Sequence, residues 1–357
     1  MRRLTTILPL CLWLGAAACL PAERAAPPPL PTVSIPQPVP AGNGGLPVSV
    51  ANHSTAAAQL RTQPAGVPAS SADVDGRLLI ATTRLSPRAQ SDLPSDYRLA
   101  WWSRGGIMPI PLPEDDRGVL DAAARPGGGG GIVAILGGVS VVRAEDDGAA
   151  PNELLPTVDG AQPDHVASYL SVGWAGPDRV LVRETAPSGL SFVDASGQAR
   201  VPIGLNGLNP SASRDGQHLA LGYSGTHKFY SIFVADQPFA DAHKLTDGDV
   251  LEVAAAWSPD GLWLAYAAEV PGAGNLPQAW AVRVARIDGT SEQTVIASKP
   301  GISYSTLRWS PDGQRIAFTR HDDLAHVRQI GVVNHDGTDS LLLSDGVAND
   351  RVLDWVP

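Results

Sequence analysis

Cysteine is nearly absent from this chain, whose 357 residues include only Cys11 and Cys19. Both lie within or at the end of an apolar N-terminal run, so the rest of the chain has no cysteine pair that could form a disulfide. Long hydrophobic runs are missing too: the run LTTILPLCLWLGAAAC, at 4–19, is short for a membrane span. The composition excludes a disulfide-stabilised scaffold, and stability must come from packing.

Positive charge is also scarce. The chain has 26 basic and 36 acidic residues, a formal net charge of −10, which becomes −12 if the first 18 residues, with Arg2 and Arg3, are removed. An acidic surface repels nucleic acid and gains little from anionic lipid head groups. We therefore expect no nucleic-acid partner.

Recognisable catalytic and cofactor motifs are missing as well. The text nearest to a G-x-S-x-G nucleophile elbow, GYSGT at 222–226, has its glycine misplaced. No H-E-x-x-H, paired C-x-x-C or dinucleotide fingerprint occurs, and the glycine run 127–131 lacks the Lys-Ser/Thr of a phosphate loop. We predict no cofactor, no resident metal and no catalytic residue.

The N-terminus has the pattern of an export signal, because two arginines precede the short apolar run. Ala16-Ala17-Ala18-Cys19 resembles a bacterial lipobox, with Ala16 where leucine is commonest. We predict a lipoprotein signal peptide at 1–18 and lipidation of Cys19, which would hold an exported chain at the cell envelope, on its periplasmic or extracellular face. The alternative is an ordinary signal peptide with a cysteine near its cleavage site.

The segment 19–70 is rich in proline and alanine and has no sustained helical or strand period. Proline and small residues cannot bury enough apolar surface to offset the entropy of ordering the chain. This segment is predicted to be a disordered tether.

The rest of the chain contains a repeat. VAAAWSPDGLWLAYA at 253–267 and STLRWSPDGQRIAFT at 305–319 lie 52 residues apart and share Trp-Ser-Pro-Asp-Gly. Serine, proline, aspartate and glycine suit successive positions of a tight turn, and their recurrence favours a structural role over a catalytic one. The positions assigned to structural turns, including a weaker copy at 211–221, are Asp215, Gly216, Pro259, Asp260, Gly261, Pro311, Asp312 and Gly313.

Degenerate copies place further turns at Pro126 and Pro177, giving intervals of 37 to 52 residues that suit four short strands per unit. No stretch has a convincing amphipathic helical period. The chain stops at RVLDWVP as a unit begins, and the missing strands occur after Asp75-Gly76. We therefore predict an all-β, six-bladed β-propeller of four-stranded antiparallel blades over 71–357, its ring closed by pairing of the C-terminal strand with the N-terminal strands.

The W-S-P-D-G turn with its following apolar strand, together with Leu245-Thr246-Asp247-Gly248 leading into the next copy, resembles the TolB-type WD40-like β-propeller repeat. The resemblance covers about 71–357. TolB has an α/β domain before its propeller, whereas the tether stands there in this chain, so the TolB role in the Tol-Pal system does not carry over. Similar repeats occur in certain envelope lipoproteins and in propellers of prolyl-oligopeptidase-type peptidases, whose α/β-hydrolase domain is not recognisable here.

Candidate binding residues lie in the loops between the second and third strands of the units. The loop RHDDLAH at 320–326 has histidines and carboxylates that could bind a divalent ion, although a polar hairpin loop is stable without one. The loops on this side are the longest, so we predict that it forms the binding face. Its candidate residues are Glu184, His227, Lys228, Arg320, His321 and Asp322.

Three functions are compatible with these observations. The first is a non-catalytic envelope module that binds a protein or peptide partner and is attached to the membrane through its lipid anchor. The alternative is a metal-dependent propeller enzyme, a hydrolase or lyase, with a site at the central channel. The third is a structural or sensory accessory of a membrane protein. A fold alone does not choose among them.

Overall fold

The structure, a computed structural model, describes residues 74–86, 94–112, 117–127, 130–155, 169–185, 188–223, 230–246, 250–271 and 278–357. The predicted signal peptide, Cys19, the tether, His227 and Lys228 lie outside the described residues. The described part of the chain contains no helix with the length and apolar character that a membrane span requires.

The described residues form strands almost throughout, with one 3-10 turn at Pro94–Asp96. The first strands are β1 (Arg77–Thr82), β2 (Arg98–Ser103) and β3 (Gly106–Pro109). Next come β4 (Val119–Ala124), β5 (Ile132–Leu136), β6 (Ser140–Ala144), β7 (Asn152–Leu155), β8 (Tyr169–Trp174), β9 (Arg179–Thr185), β10 (Ser188–Asp194) and β11 (Arg200–Ile203). They are followed by β12 (Leu208–Ala212), β13 (His218–Tyr223), β14 (Ser231–Asp236), β15 (Ala242–Lys244), β16 (Glu252–Trp257), β17 (Trp263–Val270), β18 (Ala279–Arg286) and β19 (Glu292–Pro300). The last are β20 (Ile302–Trp309), β21 (Arg315–Asp322), β22 (Val327–Asn334), β23 (Leu341–Leu342) and β24 (Asp350–Val356).

These strands form six four-stranded antiparallel sheets. Blades 2 to 6 take their strands in chain order from β4, β8, β12, β16 and β20 onward, whereas blade 1 has the order β24-β1-β2-β3. The C-terminal strand β24 pairs along β1, from Arg77 opposite Val356 to Thr82 opposite Asp350. The predicted six-bladed propeller and its mode of closure are confirmed.

The first strand of every blade is its innermost one, since β4, β8, β12, β16, β20 and β24 contact one another around the ring. Because the blades share one topology, all turns between first and second strands lie on one side, here named the turn face. Loops between second and third strands, and the connections between blades, lie on the opposite side, named the loop face.

The Ser-Pro-Asp-Gly turns are held by a local hydrogen-bond pattern. Ser258 Oγ donates to Asp260 Oδ1 and accepts from the Trp263 amide at 2.9 Å, while Gly261 has a φ of +70°. Serine 310 with Asp312, and Ser213 with Asp215, repeat this arrangement. The turn thus uses serine and aspartate to satisfy backbone groups where the second strand begins.

The core lies between blades rather than within one sheet. One cluster combines Val282 of β18 with Leu307 of β20 and Phe318 of β21, and so joins blades 5 and 6. The repeat tryptophans reach across the same interfaces: Trp309 Nε1 donates to the Ala256 carbonyl of the preceding blade at 3.0 Å, and Trp257 Nε1 donates to Ser211 at 3.1 Å. Tryptophan therefore supplies both apolar area and a directional bond between neighbours.

Candidate functional site

The first strands line the central channel, and blades 6, 1 and 2 each place a charged side chain on that strand. These residues are Arg308 on β20, Arg351 on β24 and Asp121 on β4. Their neighbourhood extends to the loop face, where strands of blades 6 and 1 contribute more polar side chains. We name five of them the mouth cluster: Tyr97, Ser305, His321, Arg328 and Arg351.

Hydrogen bonds join four members of the mouth cluster into one chain. Ser305 Oγ lies 2.7 Å from His321 Nε2, and Arg328 Nε donates to His321 Nδ1 at 3.2 Å. Arg328 Nη1 donates to Tyr97 Oη at 2.8 Å. The chain therefore runs from the inner strand of blade 6 to the start of β2 in blade 1.

The arginine fixes the tautomer of this histidine. A guanidinium N–H can only donate, so His321 Nδ1 must be the acceptor. The proton of the neutral imidazole is then on Nε2, from which it donates to Ser305 Oγ. In a serine–histidine catalytic pair the nitrogen facing the serine must instead accept the hydroxyl proton. The distance between Ser305 and His321 is that of a catalytic dyad, but the hydrogen bond runs in the opposite direction, from the histidine to the serine.

Burial and nearby positive charge set the ionisation of the cluster. Burial first, and then the charge of Arg351, lower the pKa of His321 to about 4. The same two causes lower the pKa of Arg328 to about 10, while burial raises the pKa of Tyr97 to about 12. At neutral pH the imidazole and phenol are thus uncharged and the guanidinium groups remain cationic, which makes the cluster electropositive.

Arg351 connects this cluster to the next blade. Its guanidinium lies 4.3 Å from the ring centre of Tyr97, and Nη2 donates to the Val119 carbonyl at 3.1 Å. Nearby, the Asp121 carboxylate accepts from the amides of Ala122 and Val172, both at 3.0 Å. Burial raises the pKa of Asp121, whereas Arg308 and Arg351 oppose that increase. These contacts join blades 1, 2 and 3 at the channel wall.

The structure separates the candidate residues of the loop at 320–326. His321 points toward blade 1 and the mouth cluster, whereas its neighbours on β21 point the other way. Arg320 Nη2 donates to Asp322 Oδ2 at 2.8 Å and Nη1 donates to Gln329 Oε1 at 2.8 Å. Alternation of side chains along a strand accounts for this split. Arg320 and Asp322 form an ion pair, and only His321 joins the channel residues.

Glu184 lies at the loop-face end of β9 in blade 3, where its carboxylate forms an ion pair with Arg200. Burial raises the pKa of Glu184, and Arg200 acts against this. The structure therefore does not bring Glu184 into the mouth cluster. Among the residues that the structure describes, no group of three or more histidine, cysteine, aspartate or glutamate side chains could hold a metal ion.

Sequence reasoning missed Tyr97, Ser305, Arg328 and Arg351. One signal was available for Arg351, which lies four residues before Trp355. Val253 and Ser305 lie at the same distance before Trp257 and Trp309. An arginine at this position therefore differs from the other copies of the repeat. Ser305 and Arg328 lie on the two strands that flank His321 in blade 6, and Arg328 stands directly opposite His321 across the β21–β22 hairpin. Only the approach of Tyr97 depends on how blades 6 and 1 meet.

Two aliphatic side chains protrude from the loop face of blade 6. Leu324, between β21 and β22, is 79% exposed, and Val347, between β23 and β24, is 82% exposed. The backbone beneath them is anchored, since Ala325 N donates to Asp322 at 3.0 Å and Val347 N donates to Asp345 at 3.0 Å. Exposed aliphatic side chains on hydrogen-bonded turns of one face offer apolar area that another molecule can bury.

Comparison with solved structures finds the same architecture in TolB proteins. TolB from Acinetobacter baumannii matches with a TM-score of 0.57 and 14% identity, over 81% of this chain and 68% of that chain. A protein described as TolB from Agrobacterium tumefaciens matches with a TM-score of 0.52 and 16% identity, over 78% and 99%. No family model matches the chain. No curated protein matches it. At these identities the likeness shows the fold, which is the TolB-type propeller that the repeat predicts.

Proposed function

We propose that this chain is an exported, lipid-anchored β-propeller that acts as a non-catalytic binding module of the cell envelope, with a protein or peptide partner on its loop face. The observation that carries the binding role is the presence of two exposed aliphatic side chains, Leu324 and Val347, on the loop face that also carries the mouth cluster. Export and anchoring rest on the sequence of the N-terminus and on the proposed lipidation of Cys19. The resemblance to repeats found in envelope lipoproteins supports the same location.

The geometry of Ser305 and His321 supports binding rather than catalysis. A general base for the serine would need its lone pair on Nε2, but the donation from Arg328 to Nδ1 holds that lone pair on the far side of the ring. The pKa of about 4 also makes the imidazole a weak base. The arrangement orients a polar surface without activating a nucleophile.

Anchoring is tested by expressing the full chain with its own signal in a bacterial host and comparing it with Cys19→Ala. We expect the intact mass of the wild type to include a diacyl or triacyl modification, and the protein to fractionate with membranes. The variant should lose both properties. An unlipidated wild-type chain that carries a stoichiometric metal would contradict the proposal and favour the metal-dependent enzyme.

The binding face is tested by placing a photo-crosslinking amino acid at Leu324 in cells. Leu262 is the matched control, because it is the same residue type, is 44% exposed and lies on the turn face beside the Asp260 turn. We expect a discrete protein adduct from position 324 that a Val347→Glu substitution weakens, and none from position 262. Equal labelling from both positions, or none from position 324, would contradict a partner on the loop face.

A further inference from the structure

The turn-face end of the channel contains a second polar site, on the side opposite to the proposed binding face. A cavity of about 110 Å³ opens there and is lined by residues from all six blades. Three of its lining residues are arginines: Arg125 of blade 2, Arg214 of blade 4 and Arg308 of blade 6. Because these are alternate blades, the three side chains approach the channel from directions spaced around the whole ring.

The repeat shows that the fold does not require these arginines. The position of Arg308, the last but one of its inner strand, holds small residues in four other blades: Ala123, Gly173, Ser211 and Ala256. Arg214 stands at the turn position that Pro259 and Pro311 hold in blades 5 and 6. Arg125 stands at the turn position that serine holds in those blades. At each of these three positions the other blades have a different type of residue. Each arginine adds a positive charge to the lining of the same cavity.

Main-chain carbonyls hold two of the guanidinium groups in place without neutralising them. Arg214 Nη2 reaches across the channel and donates to the Trp355 carbonyl of the opposite blade at 3.2 Å. Arg308 donates to the carbonyls of Leu307 and Leu353. Within the described ranges neither arginine forms an ion pair. Each group has five donors, so most of this capacity remains for another acceptor.

The acidic groups at this end are already engaged. Arg125 donates to the Pro177 carbonyl at 2.8 Å and forms a solvent-exposed ion pair with Asp178, which contributes little. The Asp354 carboxylate accepts from the amides of Ala124 and Trp355, at 2.9 and 2.8 Å. Neutral amide donors leave the charge of Asp354 in place, but three guanidinium groups outnumber the carboxylates of Asp354 and Asp178. This end of the channel is therefore net positive, inside a protein whose net charge is −10.

We propose that this cavity binds a small oxyanion, a carboxylate or phosphate group, between the guanidinium groups of Arg125, Arg214 and Arg308. Guanidinium groups match both chemistries, because their planar forks pair with two oxygens at once. The cavity has room for a group about the size of a few water molecules. The net negative charge of the protein disfavours an extended polyanion, so the ligand is a small molecule. Binding displaces Arg214 from the Trp355 carbonyl.

The test is calorimetric titration of the purified full-length protein with inorganic phosphate and, separately, with citrate, at constant ionic strength set with chloride. We expect saturable binding of at least one of the two anions, and their relative affinities distinguish phosphate from carboxylate recognition. Arg214→Gln and Arg308→Gln should each raise the Kd at least tenfold. Arg286→Gln is the matched control, because Arg286 is half-buried at the end of β18 in blade 5, away from the cavity lining, and pairs with Asp288.

Circular dichroism of each variant establishes that it is folded, and Arg125→Gln, at the rim of the cavity, provides a third variant if one of the others unfolds. No binding by the wild type, or equal binding by the wild type and the Arg214 and Arg308 variants, would overturn the proposal. This outcome is independent of the proposed function, since crosslinking from Leu324 reports on the opposite face.

Discussion

At the scale of single residues, His321 shows how one neighbour determines the chemistry of a side chain. It is partly exposed, Arg328 donates to the ring nitrogen that faces away from Ser305, and the positive charge of Arg351 lowers its pKa. Protonating it would place a third cation among these groups. The neutral imidazole is therefore part of the folded state, and acid should destabilise the ring through this residue.

The pH dependence of unfolding tests this point. His321 has a pKa of about 4 in the folded protein and about 6.5 when unfolded, so between these values the unfolded state binds a proton that the folded state does not. The stability that this residue contributes is complete above pH 6.5 and declines as the pH falls toward 4. In urea unfolding at several pH values, His321→Gln should show a shallower loss over this window. Parallel curves for variant and wild type would contradict the prediction.

Sequence reasoning found His321 but not the side chains that surround it in the structure. It grouped the residue with Arg320 and Asp322 because they are adjacent in the chain, whereas strand alternation directs those two to the opposite side of the sheet. Its hydrogen-bond partners, Ser305 and Arg328, lie on the neighbouring strands of its own blade, and Arg328 links it to Tyr97 of blade 1. Neighbours across a blade interface leave no local pattern from which they could be predicted.

At the scale of the strand, three inner strands share an irregularity. β12, β16 and β20 each shift register at a bulge that contains a residue with positive φ, namely Asn209 at 47°, Ala254 at 60° and Thr306 at 42°. Asparagine tolerates this conformation, but alanine and threonine adopt it at a cost of about 1–2 kcal/mol. The bulge bends the strand where it lines the channel.

Replacing Ala254 with glycine should remove that cost. The gain is partly offset by the greater freedom of glycine in the unfolded chain, about 0.5–1 kcal/mol, so we expect Ala254→Gly to stabilise the protein by up to about 1 kcal/mol. Ala256→Gly, two residues along the same strand but buried and outside the bulge, should destabilise it by about 1 kcal/mol. Chemical unfolding of both variants measures the difference, and a loss of equal size in each would show that φ at Ala254 carries no cost.

The strands and their turns were largely predictable, but the bulges were not. Ser-Pro-Asp-Gly requires a turn through the φ of proline, the hydrogen bonds of serine and aspartate, and the freedom of glycine. Ala254 and Thr306 have no such preference for positive φ. Packing of the inner strands in the ring imposes that conformation, so it becomes visible only in the assembled blades.

At the scale of the whole molecule, closure depends on β24. Besides its backbone pairing with β1, Asp350 accepts from Thr82 Oγ1 at 2.6 Å and from Arg84, and Trp355 Nε1 donates to the Asp75 carbonyl at 2.8 Å. Without this segment blade 1 has no inner strand, and the channel would be lined by five inner strands instead of six. The ring was predictable because the C-terminal repeat stops where the N-terminal one resumes.

Deleting residues 350–357 should therefore abolish cooperative folding. The loss removes one innermost strand and exposes the apolar faces of blades 2 and 6, so we expect a cost of at least about 5 kcal/mol, comparable with the stability of a whole domain. Trp355→Phe, which loses the bond to Asp75 and part of the buried ring, should remain folded and lose about 1–3 kcal/mol. Thermal unfolding and size-exclusion chromatography compare the two, and a truncated chain with an unchanged melting temperature would contradict this role of β24.

The pairing of β1 on both sides also determines how the propeller would bear a mechanical load. The described chain enters the ring at Val74, on the turn face, and continues directly into β1, which lies between β24 and β2. If the chain is held from its N-terminal side while a partner pulls on the loop face, the force runs along β1. The hydrogen bonds to both neighbours are then sheared together rather than broken one after another. A propeller attached through this strand would resist tension with two full ladders at once.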